Sequence, residues 1–280
     1  MEHRNGWRRR WALIALLGMS LAQAAPAAQD DDLKLVEAGS ALAGRLAAVG
    51  RVYSGYGPSL SMASGFLVSA CHVLTAGHVL AKNGESVRLG SEVRFVPGSN
   101  QGRSVLPLAL NGRVVAASQE FIMQPAPTGF SQERIPNDWA LIELDQPVTG
   151  IEPIRLLYPE AEPAPGTAYA VVGYPLGQRQ QGLFAQEHCR NASRPHGGNA
   201  LQGILVTDCA VRQGMSGGPI LIDDSRQPIA AGIVAERLTI GEKVLTIGVP
   251  VAAFAEKIDI AMRESDICAI GSPYVWPTAR

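Results

Sequence analysis

Residues 213–220 read QGMSGGPI, a Gly-x-Ser-x-Gly pattern with Ser216 set among small residues. Two unrelated backbones present a serine in this way. One is a strained turn from strand to helix in an alternating α/β chain. The other is a small-residue loop in an all-β chain. A third reading is a plain glycine-rich turn. A serine hydroxyl attacks only when a base takes its proton and donors hold the oxyanion that follows, so the histidines must decide.

There are five of them: His3, His72, His78, His188 and His196. The strand-to-helix elbow needs its histidine after the serine, in the order Ser…Asp…His. None follows Ser216, and that reading fails. The opposite order needs a histidine upstream at the end of a strand, and VLTAGHVL (73–80) supplies His78 after an apolar run. Its small Ala76-Gly77 step reads as room for a substrate beside the ring. A carboxylate must then fix the imidazole tautomer and stabilise its cation. NDWALIEL (137–144) sets Asp138 at the mouth of an apolar strand, where a surface aspartate rarely stands.

The remainder of the chain reads as strand, turn, strand. Thirty glycines and 19 prolines are scattered through it, and β-branched runs end at nearly every one of them. About a dozen short strands are expected between residues 42 and 250, a pattern suited to barrels or sandwiches. One good helix follows, in VPVAAFAEKIDIAMRES (249–265), where Val251, Phe254, Ile258 and Met262 recur at helical spacing and read as core packing. The proline-bearing stretch 142–156 reads as a link between two halves.

Taken in order, TAGH, NDWALIEL and GMSGGPI resemble the three catalytic signatures of the chymotrypsin-like serine proteases, with GIVAE (232–236) following the serine at the usual interval. The resemblance spans about residues 46–262, and VVGYP (171–175) is similar to the bacterial branch that includes the glutamyl endopeptidases. It implies two antiparallel β-barrels: residues 46–150 forming the first, with His78 and Asp138, and 151–280 the second, with Ser216 and the terminal helix. It further implies His78 as general base and acid, Asp138 as its orienting carboxylate and Ser216 as the acylated nucleophile. The N–H groups of Gly214 and Ser216 would form the oxyanion hole, where losing one donor costs about 3–4 kcal/mol in the transition state. A catalytically silent relative acting as a binding module is the alternative.

Two positions depart from the family. Met215 stands where digestive members keep an aspartate that captures a newly cut N-terminus, so no such activation is expected. Ala235 stands where many members place a serine that hydrogen-bonds the catalytic carboxylate, so Asp138 must lean on backbone N–H groups. By the same resemblance the substrate pocket includes Ala210, Val211 and Gln213, then Ala235, Glu236 and Arg237. The basic-residue cutters have an aspartate where Ala210 stands; small or apolar side chains are therefore expected at the cleaved residue.

The first 24 residues read as a secretory signal: Arg8-Arg9-Arg10, a short apolar segment, then the small-x-small site Ala22-Gln23-Ala24. Residues 25–45 would be a leader. The signal holds four arginines and one glutamate, so the remainder carries 20 basic and 24 acidic side chains, a net −4 without a basic run. That argues against nucleic acid as a partner. The expected partner is a polypeptide substrate, without a cofactor and without membrane attachment after export. In an oxidising compartment the four cysteines suggest two disulfides out of three pairings. Cys189 and Cys209 flank one loop and form the shortest sensible pair; Cys71 with Cys268 follows by elimination. A zinc site from Cys71, His72, His188 and Cys189 is disfavoured by its spacing.

Overall fold

The computed structural model describes residues 32–275 apart from 56–59, 101–108, 124–132, 162, 164–165, 178–181, 193–202, 223–226, 242, 266 and 269–272. The expected signal segment lies outside these residues.

The described chain opens with strand β1 (Lys34–Leu35) and a short helix α1 (Ala41–Arg45), whose N-cap Ser40 accepts from the Ala43 N–H at 3.1 Å. Six strands then close a barrel: β2 (Val49–Ser54), β3 (Ser61–Leu67), β4 (His72–Thr75), β5 (Glu92–Pro97), β6 (Leu110–Ala117) and β7 (Ala140–Leu144), neighbouring in the order β2-β3-β4-β7-β6-β5. β5 shows why these segments are strands. In EVRFVP, Val93, Phe95 and Pro97 are buried, whereas Glu92 and Arg94 point to water, the period of two that a half-buried sheet requires. β7 is buried at every position, and the terminal helix packs on its neighbour β6.

The second half is a nine-stranded sheet that adds β8 (Arg155–Leu157), β9 (Ala168–Gly173), β10 (Phe184–Arg190), β11 (Leu205–Thr207), β12 (Pro219–Ile222), β13 (Ile229–Ile240), β14 (Lys243–Pro250) and β15 (Tyr274–Val275). Its path runs β1-β10-β9-β12-β13-β14-β11, with β8 parallel to β13 and β15 parallel to β8. Residues 145–154 leave β7 and enter β8. On the way the Val148 N–H donates to Ala70 O at 2.7 Å and the Ile154 N–H to Leu67 O at 2.8 Å. The fold is thus mostly β, one closed barrel and a second sheet, with a C-terminal helix.

Both chain ends stitch the halves. At one end Leu33 and Val36 are buried, and β1 pairs with β10. The Asn100 side chain donates to Val36 O at 2.8 Å and accepts from the Leu183 N–H at 3.2 Å. At the other end the expected stripe of Val251, Phe254, Ile258 and Met262 is buried, but the helix is shorter than expected: α2 (Ala255–Arg263) holds Ile258 and Met262, Val251 lies in a single turn before it and Phe254 is its N-cap. Phe254 packs on Trp139 with ring centroids 5.9 Å apart, so the helix supports the residue next to Asp138. Burying each such side chain contributes about 1.5–3 kcal/mol of transfer free energy. Two disulfides, Cys71–Cys268 and Cys189–Cys209, complete the frame, and the four-ligand zinc alternative closes because both its thiols are bonded elsewhere.

Candidate active site

β4 and β7 are antiparallel neighbours with Thr75 opposite Ala140. That register sets His78, three residues past Thr75, beside Asp138, two residues before Ala140. His78 lies in a single helical turn over Gly77–Val79, which lifts its ring off the barrel wall, and Asp138 follows a similar turn over Ile135–Asn137. The Asp138 carboxylate holds the histidine at two points. Its Oδ1 accepts the His78 backbone N–H at 2.7 Å, and its Oδ2 faces Nδ1 of the ring at 2.7 Å. The first contact is a backbone N–H donor of the kind expected for Asp138 with alanine at 235. A Cβ on Gly77 would come within 3.3 Å of both Asp138 Oδ1 and Trp139 N, so the small residue there also makes room for the aspartate.

Burial of the His78 ring works against its protonation, but the charge and hydrogen bond of Asp138 outweigh it, and the pKa rises above the usual value. Arg134 opposes this rise and Glu236 adds to it.

Ser216 sits in a tight loop at the second sheet. The Met215 N–H donates to Arg212 O at 3.0 Å, the Gly218 N–H to Met215 O at 3.0 Å, and the Gly217 N–H to Val234 O at 2.8 Å. Gly214 has φ 94°, a left-handed conformation that side-chain-bearing residues rarely adopt. A Cβ on it would also approach Tyr174 O to 2.6 Å. The Leu176 N–H donates to Gln213 O at 2.7 Å. In a trans peptide C=O and N–H point oppositely, so this bond turns the Gly214 N–H away from Leu176. Among the described residues, neither the Gly214 nor the Ser216 N–H donates to a backbone carbonyl.

The two halves meet at Ser64 of β3. Its N–H donates to Ser216 O at 2.9 Å, and its hydroxyl donates to Gly214 O at 2.8 Å while accepting the Tyr174 N–H at 2.8 Å. Its own carbonyl accepts from the Thr75 hydroxyl at 2.8 Å. The serine loop is therefore hung from the barrel within three residues of His78. Sequence reading missed Ser64 and Leu176, since one fully buried serine in a strand and one backbone N–H leave no local signature.

The expected pocket residues part company. Ala235 and Glu236 stand beside His78, where they line a cavity of about 180 Å³ with Asp138, Phe121, Met123, Arg134 and Ile135. Val211 packs with Met215, Cys189, Cys209 and Val234 in the core of the second sheet. Ala210 is fully buried and donates its N–H to the Gln186 side chain at 2.6 Å, while Gln213 and Arg237 are exposed. Met215 is completely buried among apolar neighbours. Arg134 approaches Glu236 at 3.9 Å, and burial pushes the Glu236 carboxyl up, with Arg134 pulling the other way.

Solved structures share this architecture. The chain is similar to the thermostable serine protease AL20 from an extremophilic microorganism, at TM-score 0.59 and 18% identity over 79% of this chain and 100% of that one. It is similar also to the protease Anisep from Arthrobacter nicotinovorans, at TM-score 0.55 and 18% identity over 77% and 95%. No curated protein matches the chain. The trypsin-like peptidase domain family matches residues 63–230, a stretch that begins one residue before Ser64 and holds His78, Asp138 and Ser216. The chain belongs to the trypsin-like peptidase family and is a serine endopeptidase.

Proposed function

We propose that the protein is an exported endopeptidase that hydrolyses polypeptides through a His78-Asp138-Ser216 triad. His78 takes the Ser216 proton as the hydroxyl attacks the scissile carbonyl and returns it to the leaving amine, and water then repeats the sequence on the acyl-enzyme. Asp138 holds the imidazole in the tautomer that leaves Nε2 free and stabilises the cation. The Gly214 and Ser216 N–H groups receive the oxyanion. The observation that carries this reading is the doubly held histidine, ring and backbone both at 2.7 Å from one carboxylate.

Export is supported by the expected signal and by two disulfides, bonds that persist in oxidising compartments. Among the described residues no helix is long and apolar enough to cross a membrane. A fluorophosphonate tests the triad, because only an activated serine reacts with it. Wild type should be labelled at Ser216, and His78→Ala should not; equal labelling of the two would overturn the assignment. An unlabelled wild type would favour a silent homologue.

A further inference from the structure

The cavity beside His78 combines features that point to one kind of occupant. Phe121 and Ile135 are buried and apolar, and Met123 extends that wall. Its charged members are the two residues of the His–Asp pair, Arg134 and Glu236. With His78 neutral, two carboxylates face one guanidinium, leaving a net negative wall. Glu236 Oε2 is out of contact with solvent yet has no hydrogen-bond partner among the described residues. Arg134, at 3.9 Å, is too far to supply one. A buried carboxylate oxygen without a donor is costly, and an arriving donor removes that cost.

We propose that this cavity is a side-chain subsite for a lysine or arginine of the substrate, anchored by Glu236 and opposed by Arg134. The proposal rests on the triad reading above. An apolar trough that ends in a carboxylate suits an aliphatic stem with a cationic head. Since the His78 ring forms one wall, the residue lies next to the scissile bond. It is a neighbour of the cleaved residue, whose own pocket the family resemblance puts near 210–213. Asp138 is already held by two donors from His78, so Glu236 is the carboxylate that still needs one.

The test is a peptide library varied in charge at each position flanking the cleaved bond, with competent serines counted by fluorophosphonate titration. The readout is a ratio of kcat/KM values, which does not depend on absolute activity. Wild type should favour Lys or Arg over Gln at one position by about ten-fold, the scale of one hydrogen bond to a charged group. Glu236→Gln, which keeps the shape, should abolish the preference, Glu236→Arg should turn it toward Asp and Glu, and Arg134→Gln should strengthen it. Full labelling with charge-blind cleavage, or a cation preference that survives both Glu236 variants, would overturn the subsite alone. An unlabelled wild type would overturn the triad and the subsite with it.

Discussion

The backbone N–H of Ser64 donates to the carbonyl of Ser216 at 2.9 Å, across 152 positions of sequence, and the Ser64 hydroxyl reaches Gly214 O at 2.8 Å. One residue of the first barrel thus grips both ends of the short loop that bears Ser216. Because Thr75 holds the Ser64 carbonyl, the same residue ties that loop to the strand leading to His78.

Ser64→Ala should therefore damage turnover more than substrate affinity. It leaves Gly214 O and the Tyr174 N–H without a buried partner, a loss of about 1–3 kcal/mol. The expected outcome is a fall in kcat of about ten-fold or more with KM little changed, as for an interaction that matters chiefly in the transition state. Kinetics on titrated active sites check this. An unaltered kcat in a destabilised protein would mean that Ser64 only supports the fold.

The pH dependence of kcat/KM should show an acid limb above the ordinary histidine value of 6.5, since His78 must be neutral to act as base and Asp138 holds its proton more firmly than water does. Glu236 favours the protonated ring and Arg134 disfavours it. Glu236→Gln should then move the limb to lower pH and Arg134→Gln to higher pH. Rate profiles with one good substrate measure both. For the fold the sign is the reverse of the catalytic one: the His78–Asp138 pair stabilises fully below pH 6.5, and that contribution fades as pH rises through the raised value.

His72 acts oppositely. Its ring is fully buried, with Nδ1 2.8 Å from the Ser69 hydroxyl and Nε2 without a hydrogen-bond partner among the described residues, and burial holds its pKa down despite Glu143. Between the lowered value and the ordinary 6.5 the unfolded chain binds the proton and the native chain does not. Stability from this site is complete above 6.5 and is lost as pH falls through that interval. His72→Gln should show a smaller drop in thermal stability than wild type on moving from neutral to mildly acidic buffer. A parallel drop in both proteins would remove His72 from the acid response.

Activity should not depend on a free, newly cut N-terminus. The position that would receive an ammonium is Met215, completely buried among Cys189, Val211 and Val234, and an unpaired charge there would cost several kcal/mol. Acetylating the protein's N-terminus should leave peptide turnover unchanged. Complete loss of turnover, with the serine loop still folded, would show that some other carboxylate receives the charge.

The sequence by itself determined what chain neighbours decide. The order of His78, Asp138 and Ser216 excluded a strand-to-helix elbow. The spacing of Val251, Phe254, Ile258 and Met262 announced the terminal helix, and two cysteines flanking one loop announced the Cys189–Cys209 bond, found as expected. Each signal lies within a few residues or in simple chain order, so periodicity and residue type suffice. Only the tertiary structure decided that Ser64 joins the halves, that Gly77 lies against Asp138, and that the Leu176 N–H orients the Gly214 peptide. It also brought Glu236 and Arg134 beside His78 while sending Val211 into the core, and it gave strand β1 a place on β10. These pairings depend on strand register between segments remote in sequence. A backbone N–H or a single buried hydroxyl carries no mark, in its own neighbourhood, of the partner that folding brings to it.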